Sequence, residues 1–167
     1  SQLFFLMMQG LSFAVSILVS NAFGRKDLKS VREYARKGYF MTLGISATLS
    51  VLLYCFRYQA AGIFSDSPEV TALAVSLFFL LFAYQFGDGL QLCFANVLRG
   101  IQDVKPIMYA AFVSYYLIAI PSAYLLGFKA GLGIHGIWMG FPIGLTLAGI
   151  FFYARYRSDL RRFGRMM

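Results

Sequence analysis

Charge is scarce in this sequence, and acidic charge scarcer still. Asp, Glu, Lys and Arg make up 13% of the chain, against about 25% in soluble domains, which excludes an ordinary water-soluble fold. Histidine occurs once, at His135, and only seven residues are acidic. There is no HExxH helix, no Gly-rich phosphate loop and no pair of acids within an apolar stretch. Intramembrane hydrolysis and metal chemistry therefore have no motif to rest on. The two cysteines, Cys55 and Cys93, lie in apolar segments without metal-ligand spacing and read as small buried hydrophobes. Period-two alternation, the signature of a membrane barrel, is also missing. The opening SQLFFLMMQG carries no basic stretch or cleavage signal, so it reads as part of a span rather than a secretory leader.

What the chain has in quantity is apolar surface. Hydrophobic residues reach 59% and aromatics 18%, with a mean hydropathy of +0.67. These values predict an all-α integral membrane chain, because a backbone in hydrocarbon must satisfy its hydrogen bonds within the helix. Five segments are long enough to cross a core of about 30 Å. They run over 3–22, 39–56, 71–98, 107–128 and 134–153, so residues 1–154 form a helix bundle. Residues 155–167 form a basic, soluble tail.

Local signals mark the segment ends. In the first span Gln9, Ser12, Ser16 and Ser20 form a ridge of small and polar groups suited to close helix contact. Gly24 is placed to cap this span, with Arg25 and Lys26 at its carbonyl end. The charged stretch from Asp27 to Lys37 carries Leu28, Val31 and Ala35 at helical spacing, as a helix lying on the membrane surface would. Thr42, Gly44, Ser46, Thr48 and Ser50 repeat the small-residue theme in the second span. In SDSPEV, Asp66 and Glu69 have capping-box spacing and Pro68 suits a first turn. Asp103 is available as an N-cap, with Pro106 in the turn that follows. Pro121 removes a backbone donor within the fourth span and predicts a kink. His135, near a boundary, reads as a solvated loop residue.

The net charge of +8 could suggest a nucleic-acid partner, but its placement argues for topology. Thirteen of the fifteen Lys and Arg residues fall in the first connection, the third connection and the tail; only Arg57 and Lys129 fall on the other side. The positive-inside rule then puts those three regions, including the C-terminus, in the cytoplasm, with no role for nucleic acid. Five crossings leave Ser1 outside, which predicts at least one further span upstream.

One acid, Asp88, lies inside a span, in LLFAYQFGDGLQLCFANVLRG (80–100). An ionised Asp in mid-membrane is unfavourable by roughly 3 kcal/mol or more, and such residues face a bundle interior or an aqueous route. Tyr84, Gln85 and Gln91 project to the same side. Asp88 is thus either a carboxylate satisfied by neighbouring helices or a cation-coupling site where protons and sodium compete for its oxygens. Gln85 and Gln91 are either interhelical hydrogen-bonders or amide ligands. Gln9 and Ser12 join them as candidate cavity-lining residues.

LSFAVSILVSNAFGRKD, SDSPEV, AYQFGDGLQLCFANVLRGIQDVKP and SYYLIAIPSAYLLGF with GLGIHGIWMG follow one another over five spans. In order and spacing they resemble the multidrug and toxic compound extrusion (MATE) antiporters. The resemblance implies twelve helices in two six-helix bundles about a central cavity, with this chain as helices 8 to 12. It implies residence in the plasma or inner membrane and exchange of sodium or protons for organic cations and other drug-like compounds, with no further cofactor. It also implies a cation site at Asp88 with Tyr84 one turn before, able to hold sodium. That site is completed by a glutamate on a seventh helix, which this chain lacks along with the N-terminal bundle. Two other readings stand beside it. One is a flippase for lipid-linked precursors, which would favour a basic cavity; the other is a non-transporting membrane remnant that packs on partners through its Gly and Ser seams.

Overall fold

Backbone satisfaction in hydrocarbon demands helix, and the described residues supply five. The computed structural model describes residues 2–56 and 68–166. Its helices are α1 (Gln2–Gly24), α2 (Leu28–Cys55), α3 (Pro68–Gly100), α4 (Lys105–Lys129) and α5 (Gly133–Met166). Among the described residues, α1, α4 and α5 are each long and apolar enough to cross a membrane. Helix α3 is central and packs against α1, α2 and α5, while α4 packs chiefly on α5.

Two segments expected to stand apart are continuous with their neighbours. Residues 28–37 do not lie on the surface as a separate helix. Val31 and Ala35 are buried in phase with Gly38, Thr42 and Ser46, so one continuous α2 buries a single stripe. The basic tail behaves likewise. Tyr156, Asp159 and Leu160 continue the buried stripe of Ala148 and Phe152, and α5 stays helical to Met166. In α1 the buried ridge is Met8, Ser12, Val15, Val19 and Ala22. Of the expected polar ridge only Ser12 belongs to it, because Val15 and Val19 gain more by leaving water than Ser16 and Ser20 would. Cys93 is buried as expected, whereas Cys55 is exposed.

The connections also differ in detail. After α1, the left-handed residue is Lys26 (φ 58°), not Gly24. The Lys26 amide donates to Phe23 and that of Asp27 to Ala22, which is a Schellman turn. Asp27 then caps α2, accepting from the Ser30 amide at 3.1 Å and the Ser30 hydroxyl at 2.5 Å. The same turn recurs after α3. Gln102 is left-handed (φ 64°), and Gln102 and Asp103 donate to Arg99 and Leu98. Asp103 is not an N-cap here; Val104 holds that position, and Asp103 instead accepts from Arg155 Nε of α5 at 2.7 Å. Pro106 sits in the first turn of α4, and Pro68 opens α3; the expected capping residue Asp66 lies outside the described residues. Pro121 is accommodated by two π-helical stretches, Val113–Ala119 and Leu125–Lys129, on either side of Ile120–Tyr124. Shifting the ladder to i→i+5, as in Ile120 N–H to Tyr115 O, rearranges bonds around the donor that proline lacks. His135 lies in the first turn of α5, half-buried, rather than in a loop.

Close approach of α4 and α5 depends on Gly136, Gly140 and Gly144, spaced four apart on one face of α5. A Cβ on Gly140 would stand 2.8 Å from the Ala119 carbonyl oxygen, and one on Gly136 would strike the Leu126 backbone. Gly140→Leu is expected to destabilise the bundle by about 1–3 kcal/mol through overpacking, read as a lower melting temperature in detergent. A second test concerns Asp103. Burial pushes its carboxyl up, but hydrogen bonds with Arg155 and the Asp159 carboxyl, with the charges of Arg155 and Arg162, outweigh this and hold it below the ordinary range. A carboxylate with a depressed folded pKa contributes stability above its unfolded value and loses it as pH falls through the folded one. Arg155→Gln is therefore expected to cost about 1 kcal/mol at pH 7, kept small because the Arg155 side chain is 36% exposed. Melting curves taken down to pH 3 should show wild type and variant converging.

Candidate functional site

Asp88 lies twenty residues into α3, about 30 Å from its start. Glycines flank it, and both are contact points. A Cβ on Gly87 would come 2.7 Å from the Thr146 hydroxyl of α5, and one on Gly89 within 3.3 Å of Thr42, Met8 and Ser46 of α2 and α1. Neighbouring helices thus close in on either side of Asp88, which is 7% exposed. Among the described residues no hydrogen bond or ion pair reaches its carboxylate. Tyr84, one turn earlier and half-buried, is near enough to interact with it electrostatically.

A third member of the cluster was not anticipated from sequence. Tyr115 of α4 interacts electrostatically with both Asp88 and Tyr84. The available signal was a tyrosine in the interior of an apolar span, whose hydroxyl needs a partner. Tyr84 and Tyr115 also line a cavity of about 480 Å³ between α4 and α5, whose other walls include Ala119, Ile120, Gly140 and Phe141. An acid, two phenols and an apolar cavity therefore meet where α3, α4 and α5 converge.

The remaining candidates lie elsewhere. Gln85 Nε2 donates to Met8 Sδ at 3.9 Å, and the Ser46 hydroxyl donates to the same sulfur at 3.6 Å. This seam between α1, α2 and α3 is separate from the cavity. Ser12 is 0% exposed, and its hydroxyl has no partner among the described residues. Gln9 and Gln91 are half-buried, and neither lines the cavity at Tyr84. Among the described residues no group of three or more His, Cys, Asp or Glu side chains could hold a metal ion.

Comparison with known proteins decides the family. The MatE family model matches residues 1–125. The chain belongs to the MatE family. Multidrug resistance protein NorM of Aliivibrio fischeri (strain ATCC 700601 / ES114) is 36% identical over 159 residues, covering 93% of this chain and 35% of that protein. Two solved structures share the fold. One is an inward-facing conformation of a multidrug resistance MATE family transporter of the MOP superfamily. Its TM-score is 0.88 at 16% identity, over 98% of this chain and 38% of that one. The other is a MATE protein in the straight conformation, again with TM-score 0.88 and 16% identity, over 98% of this chain and 36% of that one. The chain spans about a third of the length of these relatives. MatE proteins are transporters set in membranes, and the five helices here are folded as in one.

The unpartnered Ser12 hydroxyl gives a direct test of the packing seam. Removing a buried group that lacks a hydrogen bond relieves a desolvation cost of about 1–3 kcal/mol. Ser12→Ala is accordingly expected to raise the melting temperature; a fall would show that Ser12 is solvated in the intact protein.

Proposed function

We propose that this chain is the part of a cation-coupled multidrug antiporter that carries its coupling site, with α1 to α5 serving as helices 8 to 12 of twelve. The observation that carries the reading is Asp88: a carboxylate buried among helices with no ion pair or hydrogen bond among the described residues, beside Tyr84 and Tyr115. Burying an unpaired charge is costly, and binding either a proton or a sodium ion removes that cost. The carboxylate oxygens serve both ions, and Tyr84 steadies whichever form is present. The family resemblance supplies the missing partner, a glutamate on the seventh helix in the remainder of the protein.

The substrates on this reading are organic cations and other drug-like compounds, exported by alternating access. The name of the NorM relative supports that class, and so does the apolar, tyrosine-lined cavity next to Asp88. No Lys or Arg among the described residues lines that cavity, which favours drug export over flipping of an anionic precursor. The distribution of Lys and Arg supports a cytoplasmic C-terminus in a plasma or inner membrane.

In the intact transporter Asp88→Asn is expected to abolish drug efflux and cation-dependent release of bound drug while leaving membrane insertion unchanged. Tyr84→Phe, which removes the hydroxyl available to steady the ion-loaded carboxylate, should lower efflux roughly tenfold, the scale of one polar contact formed to a charged group on ion binding. Efflux that survives Asp88→Asn with its ion dependence intact would make Asp88 a structural residue.

A further inference from the structure

Away from Asp88, at the basic end of the bundle, α2 and α5 diverge over α3 and leave a groove of about 730 Å³. Four guanidinium groups line it, Arg32 and Arg36 from α2 and Arg157 and Arg161 from α5. Each pair is spaced i,i+4, an arrangement that is unfavourable for like charges on one helix. Among the described residues no acid lines the groove to compensate. The acids on the neighbouring elements are engaged elsewhere. Glu33 pairs with Lys37 at 2.6 Å, Asp27 caps α2, and Asp103 and Asp159 both pair with Arg155.

The order of groups along the two helices is the informative feature. In α2 the arginines precede Tyr39 and Phe40; in the antiparallel α5, Tyr153 and Tyr156 precede the arginines. Charge therefore lies at one end of the groove and rings toward the other, over a floor of Leu90 and Phe94. Arg36 stands 5.9 Å from the Phe40 ring centroid, and Arg157 stands 5.9 Å from that of Tyr153. Cation followed by aromatic followed by apolar surface matches a phospholipid read from headgroup to acyl chain. A soluble anion would have no use for the apolar part. The Tyr156 hydroxyl supplies an independent sign. Tyr156 lines the groove and is 5% exposed, yet its hydroxyl has no hydrogen-bond partner among the described residues. Arg32 is near enough to interact with it electrostatically.

We infer that this groove is a binding site for an anionic phospholipid, its headgroup phosphate held by the four arginines and by a hydrogen bond from Tyr156, its acyl chains against Phe40 and Phe94. The site is independent of the coupling site, and its occupancy does not require Asp88.

The test is native mass spectrometry of the intact, delipidated transporter titrated with cardiolipin, phosphatidylglycerol or phosphatidylcholine. The expected result is retention of the two anionic lipids and not of phosphatidylcholine. An Arg36→Gln/Arg157→Gln double variant should bind them roughly 30-fold more weakly, from the loss of two basic contacts near the surface. Tyr156→Phe keeps the ring and the fold and should weaken binding several-fold without lowering the melting temperature, while Lys129→Gln, at the opposite end of the bundle, should bind as wild type. Equal retention by wild type and the groove variants would overturn the inference. So would displacement of cardiolipin by millimolar inorganic phosphate, which would indicate a site for free anions. Cross-linking of groove residues to another segment of the same protein, with no lipid bound, would overturn it as well.

Discussion

Between helices in a bilayer there is little hydrophobic drive to associate, so this bundle depends on how closely backbones can approach. Glycine sets that distance at nearly every helix pair. Gly100 brings α3 against the Ser16 carbonyl of α1, Gly149 brings α5 against α3 at Leu90 and Gln91, and the Gly136, Gly140 and Gly144 series seats α4 on α5. Gly87 and Gly89 do the same on either side of Asp88. The acid is buried because its two neighbours have no side chains to hold the other helices away.

That packing divides α3 into faces with different work. The face carrying Gly89 and Gln85 is filled by Met8, Thr42 and Ser46; the Thr42 hydroxyl donates back to the Gly38 carbonyl at 2.9 Å, and the Ser46 hydroxyl donates to the Met8 sulfur. Another face meets α5. Asp88 and Tyr84 lie with Tyr115, beside a cavity that reaches between α4 and α5. Helix α4 forms the other wall of that cavity. Its π-helical stretches and Pro121 give it a looser hydrogen-bond ladder than its neighbours, as is common where helices border functional sites.

The basic end of the bundle is organised by charge instead. Two turns of the same design, Gly-Arg-Lys-Asp and Gly-Ile-Gln-Asp, end α1 and α3 with a left-handed third residue and an Asp in fourth place. The first Asp stays local and caps α2. The second is drawn across to Arg155, tying the turn after α3 to the last helix. With Arg155 thus engaged and Lys37 held by Glu33, the arginines that line the α2–α5 groove meet no acid there among the described residues.

Much of this was legible along the chain, because the responsible forces are local or set by the solvent. Apolar length alone determined that the chain is helical and membrane-bound, and Asp88 stood out as the acid within a span. Pro68 and Pro106 located helix starts, since a missing donor is tolerated only in the first turn. Tertiary structure decided which side of each helix is buried. Val15 and Val19 rather than Ser16 and Ser20 turn inward, residues 28–37 and the tail merge into long helices, and Asp103 leaves its cap for Arg155. It also brought Tyr115, twenty-seven residues away in sequence, to Asp88, and separated Gln85 and Ser12 from the cavity. These outcomes depend on competition between surfaces on different helices, and no local pattern ranks them until the helices are packed.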